Sequence, residues 1–428
     1  MVNGKRVASL VAMTDEAEQT RSRRPVAHAY SLSTMVEYEG LVDSTIAMFL
    51  SRLDEKYAET GKVLNLGLWL QFFAFDVIGE LTFSKRLGFL ANGSDVENII
   101  HSIGVNFDRI SVLGQMPWLD LCLWKNPVYL RFFAKAVPSP IISFGQRRLE
   151  ERLNTYLEAD VSITEISDPQ LREKDLERSQ QTKPDFLTRF LHLREQHAET
   201  ISDQQVLAYL FANVNAGSDT TASILRAIFY YLLKNPSSLR KLQEELETAV
   251  DAGQLSAPFP SWTQSQALPY LSAVIKEALR LNPALALPLE RIVPPSGLNL
   301  DLESPRKSLD PMSYFFPPGT VVGINPWVYQ RDPRIFGADP LSWKPDRWLH
   351  TNAKHMENEL LTFGAGKRTC LGRNIAMLEL HKLVPAVMLR YDIKLADESK
   401  EWTLRNSWAL GQEGVDVVIS RKQKNRAC

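Results

Sequence analysis

Cys370 lies in the segment Phe363-Gly364-Ala365-Gly366-Lys367-Arg368-Thr369-Cys370-Leu371-Gly372, where three glycines surround one cysteine just before an apolar, helix-like stretch. Glycine lets a backbone turn tightly and approach another group closely. A sulfur at a helix N-terminus beside Lys367 and Arg368 feels a positive potential, which favours the thiolate, the form of cysteine that binds metal. The competing reading of a lone cysteine is a small buried hydrophobe. A second pattern, Ala216-Gly217-Ser218-Asp219-Thr220-Thr221, interrupts an apolar helical run, where glycine costs about 1 kcal/mol against alanine. Ala216 and Thr220 lie four apart, as do Gly217 and Thr221, giving a shallow notch beside a hydroxyl and a carboxylate. That set suits proton delivery to a ligand against the helix, and it equally suits a small-residue crossing point between helices. Glu277 and Arg280, three apart on one helix face, form by themselves an ordinary ion pair.

The elements that carry these residues read as mainly helical. Residues 25–160 show apolar positions at helical spacing, and a charged segment from Asp160 to Lys183 reads as a solvated loop. Ser202 and Gln205 form a capping-box pattern that opens one predicted helix from about 202 to 234, some ~50 Å long at 1.5 Å per residue. Small β elements are expected between Ala286 and Val322 and coil from Asn325 to Gly366. A helix follows over about Leu371 to Arg390, with a kink or break at Pro385, and short closing strands include Val415-Asp416-Val417-Val418-Ile419-Ser420.

The 428-residue chain is 44% hydrophobic, enough to bury a large core, and its 49 basic against 50 acidic side chains leave a net charge of -1. No electrostatic footprint for nucleic acid results. The three cysteines, Cys122, Cys370 and Cys428, form neither a CxxC pair nor a disulfide framework, which fits a reducing compartment. The first twenty residues hold only a brief apolar stretch, so no membrane anchor or signal peptide is expected in this chain.

Taken together and in order, these patterns resemble the cytochromes P-450. Phe363, Gly366, Arg368, Cys370 and Gly372 match the haem-binding signature F-x-x-G-x-R-x-C-x-G. Ala216, Gly217, Asp219, Thr220 and Thr221 match the oxygen-activating motif A-G-x-D-T-T. Glu277 and Arg280 match E-x-x-R, and Arg347 in Trp343-Lys344-Pro345-Asp346-Arg347-Trp348 matches the arginine that completes a buried structural triad. The resemblance implies a mainly α fold with small β regions, a long central helix over haem, and a single domain spanning residues 1–428. It implies haem b with Cys370 as axial ligand to iron, and Arg368, Arg23 and Arg291 as partners of the haem propionates. Thr220 is expected to hydrogen-bond dioxygen or an ordered water, and Asp219 to relay protons.

The implied activity is a monooxygenase that inserts one atom of O2 into a small hydrophobic substrate, with the overall flavour of the fungal secondary-metabolite branch. Electrons would come from NADPH through a separate cytochrome P-450 reductase, since no GxGxxG fingerprint follows a strand, and Lys367, Arg368 and Arg373 could dock that acidic partner. The family's usual N-terminal anchor and first sheet region find no counterpart, and Gln19 stands where a tryptophan often precedes the propionate arginine. The resemblance places the protein on the cytoplasmic side of the endoplasmic reticulum, and the want of an anchor admits a cytoplasmic location. The aromatic stretch from Met116 to Trp124, with Tyr129, Phe132 and Phe133, is expected to give peripheral membrane contact or to pack as a core loop. Two other readings stay open: a haem-thiolate isomerase, dehydratase or peroxide-using enzyme, and an inactive haem-binding remnant.

Overall fold

In a computed structural model, residues 9–122, 126, 128, 140–165, 184–302 and 312–422 are described. Helices dominate and the strands are short, as the hydrophobic periodicity implies. Helix Leu66–Phe83 shows how the core is made. Asn65 caps it by accepting from the Leu68 N–H at 2.9 Å, and its aromatic-rich run is apolar on nearly every side. Among the described residues it is the one helix long and apolar enough to cross a bilayer, yet 83% of it is buried inside the protein, which makes it a core helix. One hydrophobic cluster runs from Val26 through this helix to Ile419.

The region predicted as one central helix is two, Asp203–Gly217 and Asp219–Lys234, interrupted at Ser218. The cause is local. Ser218 Oγ donates to the Val214 carbonyl at 2.7 Å and Thr220 Oγ1 to the Ala216 carbonyl at 2.7 Å, so side-chain hydroxyls compete for the helix's own acceptors. The predicted capping box is half realised: Ser202 accepts from the Gln205 N–H at 3.2 Å, while the Gln205 side chain turns to the Tyr209 hydroxyl. Both halves of the motif occur instead at Ser261 and Gln264.

The C-terminal helix, Arg373–Arg390, runs through Pro385 without a break, because the residues from Leu378 to Met388 are all buried and packing holds the turn. The helix Pro140–Glu165 extends past Asp160, the expected start of a charged loop; residues 166–183 lie outside the described set.

Among the described residues the strands form four small antiparallel sheets. β1 (Leu64–Asn65), β9 (Asp416–Arg421) and β6 (Tyr391–Leu395) lie in that spatial order; β2 (Arg291–Ile292) pairs with β5 (Val321–Val322), β3 (Leu298–Leu302) with β4 (Met312–Phe316), and β7 (Thr403–Ser407) with β8 (Ala409–Glu413). The β8 strand is tied to the core: Leu410 N–H donates to Ala284 at 2.9 Å, and Gln412 Nε2 to the Ser223 carbonyl at 3.0 Å. The hairpin thereby braces helix 219–234.

Candidate active site

The cysteine loop is closed by its own hydrogen bonds. Cys370 N–H and Thr369 Oγ1 both donate to the Phe363 carbonyl, at 2.8 and 3.3 Å, and Thr369 N–H donates to Gly366 at 3.1 Å. Gly364 and Gly366 adopt φ of 66° and 65°, a left-handed backbone that disfavours any other residue. The N–H groups of Gly372 and Arg373, where helix 373–390 begins, point at the sulfur and, with the charges of Arg23 and Arg373, favour its thiolate. Burial opposes them and raises the thiol overall. Cys370 is nonetheless exposed. A thiol surrounded by protein on most sides and still accessible faces a recess.

Cations converge on that recess. Arg23, on helix Glu16–Val26, donates from Nη2 to the Thr369 carbonyl at 2.7 Å and feels the charges of Cys370 and Arg368. Arg368 binds Glu16 through Nε at 3.0 Å and Nη2 at 2.8 Å, and its Nη1 donates to the Met13 carbonyl at 2.9 Å. Glu16, held below the usual carboxylate range first by the Arg368 hydrogen bond, also senses Arg291 and Lys367. Arg291, on β2, is exposed and donates to the Glu290 carbonyl at 2.7 Å. Arg373 lies over the Phe363 ring at 5.8 Å. Three cations, Arg368, Arg291 and Lys367, thus share the Glu16 carboxylate, while Arg23 and Arg373 face the sulfur.

Ala216 is exposed although it sits between buried turns of the central helix, and Thr220, one turn on, is partly open. Gly217 faces the other way. A Cβ there would lie 2.9 Å from Ile78 Cδ1, so the glycine is a close crossing point between helices 203–217 and 66–83. The crossing-point use of the motif is therefore met at Gly217, while Ala216 and Thr220 stay open beside it. Asp219 accepts from Gln71 Nε2 of helix 66–83, and burial raises its carboxyl against that bond and the Arg226 charge. Tyr30 links the helix to the cysteine side: its hydroxyl donates to Asn213 Oδ1, one turn before Ala216, its ring feels the charge of Cys370, and Asn374 Nδ2 donates to its carbonyl at 2.9 Å.

Glu277, Arg280 and Arg347 meet in the interior. Glu277 accepts from Arg280 Nε and Nη2 at 2.9 and 2.8 Å, Arg347 Nε at 3.0 Å, Trp348 Nε1 at 2.9 Å and the Lys344 N–H at 3.0 Å. Arg280 Nη1 donates to the Gln330 carbonyl at 2.9 Å. The Gln330 side chain in turn accepts from Leu361 N–H at 2.7 Å and Thr362 Oγ1 at 3.0 Å. A buried hydrogen-bond chain thus runs from this cluster to the start of the cysteine loop.

The structure brings Cys370, Phe363, Gly366, Arg368, Gly372 and Arg23 into one loop assembly, with Arg291 at its edge and Glu277, Arg280 and Arg347 behind it. Sequence reasoning missed Glu16, Tyr30, Asn213, Gln71 and Arg226. Arg226 carried a signal, being the sole charge between Asp219 and Lys234 in an apolar helix. Gln71, a lone amide in an aromatic run, carried a weaker one.

The residues fit a haem. A thiol polarised by two N–H groups and accessible in a recess is a donor for iron, and the surplus of guanidinium over carboxylate suits a ligand bearing acid groups. A mainly helical fold carrying an accessible thiol in a cation-rich loop suits a haem-thiolate protein. The chain matches the family described as Cytochrome P450 over residues 5–418. It is 42% identical over 409 residues to the cytochrome P450 monooxygenase cicH of Emericella nidulans, covering 95% of this chain and 76% of that protein. It is 38% identical over 415 residues to the monooxygenase pkfB of the same organism, covering 96% and 75%. With the monooxygenase mpaDE of Penicillium roqueforti it shares 39% identity over 414 residues, covering 96% of this chain and 45% of that protein. The chain belongs to the cytochrome P450 family, and its class of activity is that of a haem-thiolate monooxygenase.

Proposed function

We propose that the chain inserts one oxygen atom of O2 into a small hydrophobic substrate in fungal secondary metabolism, with Cys370 as the iron ligand. The observation that carries the reading is the Cys370 sulfur, accessible in its recess and met by the N–H groups of Gly372 and Arg373. Haem b, when bound, supplies the activation of dioxygen and the oxidation of a substrate carbon. Phe363, Gly366 and Gly372 shape the loop, and Arg23, Arg368 and Arg291 would hold the propionates of the bound group. Thr220 offers a hydroxyl whose oxygen accepts a hydrogen bond while its proton is given to the Ala216 carbonyl. Asp219 holds the proton to be delivered toward Thr220. Glu277, Arg280 and Arg347 keep the loop's base in place. One continuous core from Val26 to Ile419 supports a single domain.

Electrons come from NADPH through a separate reductase, for which Lys367 and Arg373, both exposed, are the docking cations; Arg368 is turned inward to Glu16. The reading places the enzyme on the cytoplasmic face of the endoplasmic reticulum. Exposed Val105, Val112, Met116 and Trp118 support peripheral contact with the bilayer, while Trp124, Tyr129, Phe132 and Phe133 lie outside the described residues.

The experiment is the difference spectrum of the reduced protein under carbon monoxide, beside Cys370→Ser. The long-wavelength Soret band of a thiolate complex in the parent and its loss in the variant are expected. A short-wavelength band in both would remove Cys370 from the iron and favour an inactive haem-binding remnant.

A further inference from the structure

We propose that Gln71 is a positioning residue for proton transfer at Asp219, its amide locked in one orientation by Arg226 so that it shows the carboxyl an N–H and never an oxygen. The inference rests on Asp219 acting as the proton donor of the preceding reading. Arg226 lies two turns after Asp219 on the same face of helix 219–234 and is buried. Its Nε donates to the Gly67 carbonyl at 2.8 Å and its Nη2 to Gln71 Oε1 at 2.6 Å. A guanidinium has only donors, so the amide oxygen must face Arg226 and the amide nitrogen must face Asp219. Gly67 makes room for this: a Cβ there would stand 3.3 Å from Arg226 Nε. Gly67 and Gln71 are one turn apart on helix 66–83, so the two helices are joined by a polar ladder through an otherwise apolar seam.

The ladder ties down one oxygen of Asp219 and leaves the other. Oδ1 accepts from Gln71, whereas Oδ2 has no hydrogen-bond partner among the described residues. The charged groups that face the carboxyl are Arg226, which stabilises the anion, and Asp95, which opposes it; Arg226 itself senses Glu413. When the proton leaves Oδ2 toward Thr220, the carboxylate left behind keeps the Gln71 N–H and the Arg226 charge. A proton from solvent then restores the acid, and no electrons move. An N–H fixed on the anion lowers the carboxyl that burial raises, and so sets the pH at which the donor can be refilled and emptied.

The test uses the full-length protein labelled with 13C-aspartate, and follows the carboxylic C=O infrared band of Asp219, identified by its absence in Asp219→Asn, between about pH 4 and pH 9. Gln71→Leu should raise the titration midpoint by about 1–2 pH units, the worth of a hydrogen bond to a charged group. Gln71→Glu, of the same shape and still able to pair with Arg226, should raise it further while keeping the thermal midpoint close to the parent's. The alkaline limb of NADPH-driven turnover should move with the band, a shift that a packing role would not produce. A midpoint unmoved in both variants overturns the proposal. If the midpoint moves but Asp219→Asn leaves peroxide released per NADPH unchanged, Asp219 is not the donor, and the inference falls for that separate reason.

Discussion

Arg23 hands a guanidinium proton to the carbonyl of Thr369, the residue that immediately precedes the thiol, across 346 positions of sequence at 2.7 Å. This bond clamps the cysteine loop to helix 16–26 and holds a cation beside the sulfur. Replacing Arg23 with Ala should lower haem retention by about 10- to 100-fold, the usual cost of losing an outer partner of a metal ligand. Dialysis against apomyoglobin measures it, and Arg23→Lys, which keeps charge but loses the fork, should recover only part of the loss.

Thr220 donates its hydroxyl to the Ala216 carbonyl, which leaves its oxygen as an acceptor. Thr220→Val removes that oxygen at nearly constant shape. Product formed per NADPH should fall by about 100-fold or more, the scale of a lost acid-base contribution, with peroxide rising in its place. Thr220→Ser should retain most of the coupling. Equal peroxide yields from parent and Thr220→Val would exclude Thr220 from the chemistry.

Glu277 is fully buried and answers two arginines, an indole and a backbone N–H. Glu277→Ala strands the guanidiniums of Arg280 and Arg347 in the interior, and urea unfolding should show a loss of about 3–5 kcal/mol. Because Gln330 connects this cluster to Leu361 and Thr362, haem release should quicken in the same variant under conditions where it remains folded.

His381 and Glu379 give the C-terminal helix opposing pH responses. Burial lowers His381 from 6.5 to about 4, so the folded protein keeps it neutral while the unfolded chain takes up a proton. Its contribution, about 3 kcal/mol, is complete above pH 6.5 and disappears as pH falls toward 4; His381→Gln should flatten the thermal midpoint across that window. Glu379 has both oxygens buried without a hydrogen-bond partner among the described residues, and desolvation raises its carboxyl well above 4.5. The unfolded chain ionises first as pH rises, so this group destabilises the fold progressively above pH 4.5. Glu379→Gln should be more stable than the parent at neutral pH and lose that advantage below pH 4.5.

The loop around Cys370 and the Glu277-Arg280 pair were legible because their residue types recur at fixed local spacings. The central helix was legible in extent but not in its break: from sequence Gly217 reads equally as a notch or as a crossing point between helices, and the approach of Ile78 shows that it seats a neighbouring helix. Gln71 and Arg226 stayed hidden as a pair for the same reason. They are 155 positions apart, and a contact set by how two apolar helices pack has no periodic signature in either one. Glu16 was passed over because an acid in a first helical turn is ordinarily a capping charge, and here it is also the partner of Arg368.

The closure of the cysteine loop on the Phe363 carbonyl separates two kinds of change. The bonds that fix Cys370 N–H, Thr369 N–H and Thr369 Oγ1 all end on Phe363 and Gly366, within the loop itself. Substitutions elsewhere in the chain can therefore accumulate while the seat of the sulfur keeps its geometry. Such a molecule can acquire new substrates by mutation without rebuilding its reactive centre.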